Sequence, residues 1–281
     1  MLINEKKLLM DAQKGKYAVG AFNVYNMEGV KAVISSAQKE KSPIILQLHP
    51  IVLEYGGAPF IEMCKKASET TEVPVAIHFD HSDKANDIEL ALNLGVKSVM
   101  ADGSQLEYRD NLKFTKKMAD LAHKYEAVIE GEYGRLSGSE DGITVAEHDA
   151  KLTNPLKAKE YVEYTSVDSL AVCIGNVHGH YKCEPVIDFE RLTEISKSVE
   201  VPLVLHGGSG LKEDVIKKCI ELGICKVNVN TEVREAYLNA MKKMSISEEK
   251  NDLLKIMNNC IEAMGDIVVS KIKLFGSYDR Y

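Results

Sequence analysis

The sequence predicts an α/β fold in which eight parallel strands close into a barrel, each followed by a helix, with additional C-terminal helices. Three observations carry this: eight short apolar, β-rich runs recur along 281 residues, stretches of helical period separate them, and no GxGxxG follows the first run. Parallel neighbours need a crossover, which the intervening helices supply. An open doubly wound sheet would use five or six units with a glycine-rich turn after the first strand. Eight units without that turn favour the (β/α)8, or TIM, barrel.

The runs are Tyr17–Asn23, Pro43–Leu48, Pro74–Phe79, Lys97–Ala101, Ala127–Glu132, Ser169–Gly175, Pro202–His206 and Cys225–Val229. After the first, Met27–Lys39 places Val30, Val33, Ile34 and Ala37 on one helical face. Ala85–Leu94, Asn111–His123, Leu156–Tyr164 and Phe189–Lys197 follow later runs with the same period. Lys212–Leu222 repeats it with Val215, Ile216, Cys219 and Ile220. After the eighth run come helical Thr231–Lys243, the polar stretch SISEEKND, helical Leu253–Lys273 and the tail FGSYDRY. These residues, 231–281, read as an extension of one domain spanning 1–281.

Composition narrows the functional classes. Forty-two acidic against 35 basic residues give a net charge of −7, with no basic stripe, so nucleic acid is not expected as a partner. No apolar run reaches the ~18 residues that span a bilayer, so no membrane partner is expected either. The start, MLINEKKLLMDAQKGK, mixes charges into every turn and does not read as a secretory signal. Six cysteines without CxxC spacing read as free thiols, which suits a cytoplasmic location.

The polar residues collect at the C-terminal ends of the runs, where barrel enzymes build their sites. Those ends carry Asn23, His49, His78, Asp80, His81, Asp102, Ser104, Glu130, Glu132, Asn176, His178, His206, Asn228 and Asn230. With His180, six of the eight histidines lie at or just beyond a strand end. Histidines from three neighbouring strands can converge on one point of the rim, and three protein ligands with an open position is the pattern of a catalytic zinc site. Alternation puts His78 and Asp80 on one side of their strand, with His81 where it turns into its loop. Spacing alone does not decide which of these are ligands.

Two glycine-bearing segments flank those candidates. Gly207-Gly208-Ser209-Gly210 follows the seventh run, and Asn228-Val229-Asn230-Thr231 leaves the eighth and opens a helix. Loops at these two places commonly bind phosphate through amide hydrogens and a helix N-terminus. The connection after the fifth run reads Glu130-Gly131-Glu132-Tyr133-Gly134-Arg135, then Ser137 to Gly142 with Glu140 and Asp141. A long glycine-bearing loop with carboxylates suits a mobile flap that carries an acid or base over a substrate.

In order, AFNVYNMEG, HFDH, MADGS, EGEYG…EDG, GNVHGHYKCEP, LHGGSG, KVNVNTE and FGSYDR form a set. The chain thereby resembles, nearly end to end, the shorter branch of the class II, metal-dependent fructose- and tagatose-bisphosphate aldolases. The resemblance implies His81, His178 and His206 as ligands of one catalytic zinc ion, with Asp102 and Glu132 at an alternative metal position. It implies Asp80 as acid/base at the ketose C4 hydroxyl, His78 as support, and Glu140 as the flap group moving a proton at the dihydroxyacetone-phosphate carbon. Gly179, Gly207, Gly208, Ser209, Asn228, Val229, Asn230 and Thr231 match the dihydroxyacetone-phosphate site, and strand-end Asn23 joins the substrate-binding candidates. Gly179, Gly207 and Ser209 also match a monovalent-cation site for Na+ or K+. Lys182 matches a substrate cation, and Arg280 one delivered from a neighbouring subunit of a homodimer or homotetramer.

The sixth run, SLAVCIG, has no lysine for the alternative Schiff-base chemistry. The resemblance therefore implies a zinc-dependent aldolase reversibly cleaving fructose 1,6-bisphosphate to dihydroxyacetone phosphate and glyceraldehyde 3-phosphate. Asn230 stands where the tagatose-type pattern carries Ala. His49 departs from the usual Ser or Thr, and Ser137 and Ser139 from the usual flap glycines. The alternative is tagatose 1,6-bisphosphate or another ketose phosphate. A non-catalytic aldolase subunit is the third reading, and it has no chemical need for Asp80, Glu140 and three histidines.

Overall fold

The computed structural model describes residues 1–140, 143–145, 150–179, 185–247 and 251–281. Eight strands form a closed parallel barrel: β1 (Val19–Asn23), β2 (Ile44–Leu48), β3 (Val75–Ser82), β4 (Ser98–Ala101), β5 (Val128–Tyr133), β8 (Ser169–Val172), β10 (Leu203–Leu205) and β11 (Ile224–Val229). Each coincides with one of the eight apolar runs. Around the barrel the order is β1-β11-β10-β8-β5-β4-β3-β2, closed by Val19 opposite Lys226 and Gly20 opposite Ile44. The crossover helices are α2 (Met27–Glu40), α3 (Pro50–Glu69), α4 (Ala85–Asn93), α5 (Tyr108–Lys124), α6 (Pro155–Thr165), α7 (Phe189–Ser198) and α8 (Glu213–Glu221). Helices α9 (Thr231–Ser245) and α10 (Leu253–Phe275) follow the last strand. Among the described residues, no helix is long and apolar enough to cross a membrane.

Three features lay outside the periodicity. Helix α1 (Glu5–Gly15) precedes the barrel, and its Leu8, Leu9 and Ala12 pack with Tyr17, Val19, Ala21, Ile45, Ala76 and Cys225 to seal the N-terminal floor. Burying a leucine there contributes about 1.5–3 kcal/mol. Helix α3 starts on His49, whose Nδ1 accepts from the Ile51 amide at 3.3 Å, and kinks at Gly57 (φ 56) ahead of Pro59. That interruption hides its helical period. Finally, β6 (Ser137–Glu140), β7 (Ile143–Val145) and β9 (Val177–His178) form a separate three-stranded sheet over the mouth. Its runs are too short and polar to show alternation.

The larger core lies between the barrel wall and its helices. Helix α10 packs on α2 and α9. The chain then returns to the floor, where the Ala18 amide donates to the Phe275 carbonyl at 3.0 Å. The amides of Asp279 and Arg280 donate to the carbonyls of Glu40 and Lys41. Cys64, Cys173, Cys219, Cys225 and Cys260 are free thiols, and burial pushes Cys64 and Cys219 up to about 12. Cys183 lies outside the described residues.

Candidate active site

Strand β3 runs on past Phe79 to Ser82, so Asp80 and His81 lie inside the strand rather than beyond it. Adjacent strand residues point to opposite faces, yet both of these face the mouth. The register against β4 shifts between Phe79 and Ser82, and His81 takes a left-handed backbone, φ 47. That turn, uncommon for a residue with a Cβ, sends both side chains inward.

His81 then meets His178 from β9 and His206 after β10. The ring centroids of His81 lie 4.9 Å from His178 and 4.6 Å from His206, and one nitrogen of each ring falls within 4.8 Å of the others. The sequence expectation of three neighbouring strands needs correction, because β3 stands across the mouth from β8 and β10 in the barrel order. His81 Nδ1 donates to Asp102 Oδ2 at 2.9 Å, and His206 Nε2 to Glu130 Oε1 at 2.8 Å. This leaves His81 Nε2 and His206 Nδ1 facing each other at 2.9 Å. Burial lowers the His81 pKa, but Asp80 and Asp102 outweigh it and hold the ring well above the ordinary value. Burial brings His206 below it.

His81, Asp102 and Glu132 form a second group with ligand atoms within 4.8 Å. Burial, helped by the Asp102 charge, holds the Glu132 carboxyl well above the usual range. A third group, Glu5, His78 and Glu130, lies deeper. There the Lys226 ammonium, 2.7 Å from Glu130 and 3.8 Å from Glu5, already supplies the positive charge.

Asp80 is buried beside the imidazoles. Gln47 Nε2 donates to its Oδ2 at 2.8 Å and also to Asn23 Oδ1 at 3.1 Å, while Asn228 Nδ2 approaches Oδ1 at 3.5 Å. Burial raises its pKa, yet the charges of His81, His206, Lys226 and His78 outweigh that and hold it below the ordinary carboxylate range.

In the loop after β10, Gly207 and Gly208 have no room for a side chain. A Cβ on Gly207, at φ 65, would come 1.9 Å from the Val177 carbonyl oxygen. The Gly208 amide donates to the Asn228 carbonyl at 3.0 Å, and Ser209 Oγ accepts from the Glu232 amide at 3.4 Å. Helix α9 therefore opens beside this loop, its Asn230 cap accepting from Tyr25 Oη at 2.8 Å. Gly179, at φ 77, follows His178 directly. Val229 is the exception in the set, because its side chain belongs to the core outside the barrel and only its backbone can serve the rim.

Three expected residues are not among those described at the mouth. Lys182 lies outside the described residues, as does the side chain of Glu140, which ends β6. Arg280 sits on the floor, its guanidinium 4.9 Å from the Tyr17 ring centroid. This chain does not bring it to its own mouth. Conversely, Gln47, Lys226 and Glu5 went unassigned from sequence. Lys226 was legible as the one charge within ICKVNV and Gln47 as the one polar residue within IILQL, whereas Glu5 gave no such signal.

The comparisons give the family of this barrel. The family model for class-II fructose-bisphosphate aldolase matches residues 3–280. The YdjI aldolase from Escherichia coli K12 is 34% identical with a TM-score of 0.90, covering 100% of this chain and 99% of that one. A candidate fructose-1,6-bisphosphate aldolase from Coccidioides immitis is 31% identical with a TM-score of 0.91, over 98% of this chain and 96% of that one. The fructose-bisphosphate aldolase Fba from Campylobacter jejuni, 20% identical with a TM-score of 0.83 over 100% and 97%, shares the fold. A match over nearly the whole length, on a barrel whose mouth gathers three imidazoles around a buried aspartate, places this chain in the class-II fructose-bisphosphate aldolase family, and it is a lyase.

Proposed function

We propose that this chain is a zinc-dependent ketose-bisphosphate aldolase that reversibly cleaves fructose 1,6-bisphosphate into dihydroxyacetone phosphate and glyceraldehyde 3-phosphate. The carrying observation is the convergence of His81, His178 and His206 beside the buried Asp80 carboxylate. The donor set fits zinc: imidazole nitrogens suit it, and the outer nitrogens of His81 and His206 are held by carboxylates, as is usual for metal-bound histidines. Bound there, zinc would supply Lewis-acid stabilisation of the negative charge that develops beside the ketose carbonyl.

The remaining chemistry belongs to the chain. Asp80, ionised and fixed by Gln47, takes the proton of the C4 hydroxyl as C3–C4 breaks and returns it in the aldol direction. Amides of the Gly207–Ser209 loop and the start of α9 suit a substrate phosphate. Glu140 is assigned the proton at the dihydroxyacetone-phosphate carbon. Among the described residues, a Schiff-base route has one candidate inside the barrel that the sixth run did not reveal, Lys226. Burial lowers its pKa, but Glu130, Glu5 and Asp80 outweigh that and keep it above the ordinary value, and an ammonium does not attack a carbonyl. Asn230, held by Tyr25, supports fructose over tagatose bisphosphate. Exposed Ile246, Leu253 and Leu254, where α9 gives way to α10, support a homodimer or homotetramer.

Steady-state cleavage of both bisphosphates tests the assignment. Chelation should abolish activity, zinc should restore it, borohydride with substrate should trap no adduct, and sedimentation should return more than one chain. Full activity without metal would refute zinc, and a higher kcat/KM for tagatose bisphosphate would refute fructose.

A further inference from the structure

We propose that Glu5 is a positioning residue for the metal centre, acting from the barrel floor through Lys226 and Glu130 on His206. This rests on the zinc assignment made above. An acidic residue in the first turn of a helix ordinarily sits in solvent, where the helix dipole favours it. Glu5 is instead 2% exposed, in the interior beneath the mouth. A carboxylate is costly to bury unless its charge is met. Here His78 Nδ1 lies 3.1 Å from Oε2 and Lys226 Nζ 3.8 Å from Oε1. Burial raises the Glu5 pKa, but these two groups outweigh it, and the carboxyl lies below its ordinary range.

Lys226 connects that carboxylate to the mouth. Its Nζ lies 2.7 Å from Glu130 Oε2, and Glu130 Oε1 accepts from His206 Nε2 at 2.8 Å. His206 Nδ1 then faces the point shared with His81. Glu5 and Glu130 thus divide one ammonium between them. Without Glu5, the whole Lys226 charge falls on Glu130, which becomes a weaker acceptor for His206, and the imidazole loses basicity toward a cation. Removing a negative charge from the interior lowers cation affinity in the same direction. Helix α1 is seated by Leu8, Leu9 and Ala12, so the carboxylate is held in place rather than free to leave.

The test is zinc affinity by competition with a chromogenic chelator, on full-length variants whose fold is checked by circular dichroism. Glu5→Gln keeps shape and loses charge; Glu5→Asp keeps charge on a shorter arm. Leu9→Ala loosens the same helix without touching a charge. The expected order of affinity is wild type, equalled within ~2-fold by Leu9→Ala, then Glu5→Asp, then Glu5→Gln at ~10-fold weaker, the low end for groups behind a metal ligand. Equal affinity for Glu5→Gln and wild type overturns the role of Glu5, as does a loss in Leu9→Ala matching that of Glu5→Gln. Should Glu5→Gln not fold, Glu5→Asp must still bind more weakly than Leu9→Ala, and equality overturns the role. A wild-type protein that binds no zinc refutes the metal assignment instead.

Discussion

Burial alone would make Asp80 a poor base, since it disfavours the charged carboxylate. Four neighbouring groups reverse that, so Asp80 is ionised at neutral pH. Asp80→Asn keeps the shape and its contact with Gln47 but cannot take a proton. Turnover should fall by about 10²–10⁴-fold while zinc content is retained. Kinetics paired with metal analysis checks this, and near-normal turnover would remove Asp80 from its role. The HFDH segment was legible as chemistry because His and Asp crowd one strand end. Its hydrogen bonds were not: Gln47 was unassigned and Asn228 was read only at its own strand end, because both approach from other strands, and contacts between strands have no period in sequence. The left-handed turn at His81 was equally silent, since the strand pattern continues through HFDH with no glycine to mark a turn.

Elements were read where one face is apolar and missed where function or sealing interrupts the pattern, as in α3 with its Gly-Gly-Ala-Pro interior and α1 with its scattered charges. Asp168, just before β8, shows how such elements are joined. Its Oδ1 accepts from Lys6 Nζ of α1 at 2.9 Å, while Oδ2 accepts from His123 Nε2 of α5 at 3.0 Å and the Ile129 amide of β5 at 3.0 Å. Burial raises its pKa, and these donors outweigh it to give a net lowering. A depressed folded pKa contributes stability that is present above the unfolded value of about 3.9 and lost as pH falls through the folded one. Asp168→Asn should therefore cost about 1–2 kcal/mol at pH 7, discounted for the exposure of Lys6. In urea unfolding at successive pH values, the difference from wild type should shrink on acidification. A gap constant with pH would show that the charge is not what matters.

At the scale of the whole molecule, the barrel separates a sealed floor from the mouth, and the strand order needed for that was legible from eight runs and the seven intervals between them. The distance from mouth to tail was not, because nothing in FGSYDRY tells which end of the barrel it meets. The three histidines proposed as ligands, from β3, β9 and the loop after β10, come together only in the folded chain. Zinc at 100-fold its Kd should therefore add about 2.7 kcal/mol of stability, or roughly 4–8 °C in Tm for a chain of this size. Calorimetry with and without chelator measures it, and an unchanged Tm would contradict ligation by the native fold. The small sheet over the mouth carries a consequence for recombining relatives. Strand β6 pairs with β9 through Ser137 opposite Val177 and Gly138 opposite His178, and a Cβ on Gly138 would strike the His178 carbonyl at 2.1 Å. Hairpin and the His178 segment are thus one exchangeable module, so a chimaera that imports another enzyme's hairpin must import its counterpart of residues 176–179 in the same cassette.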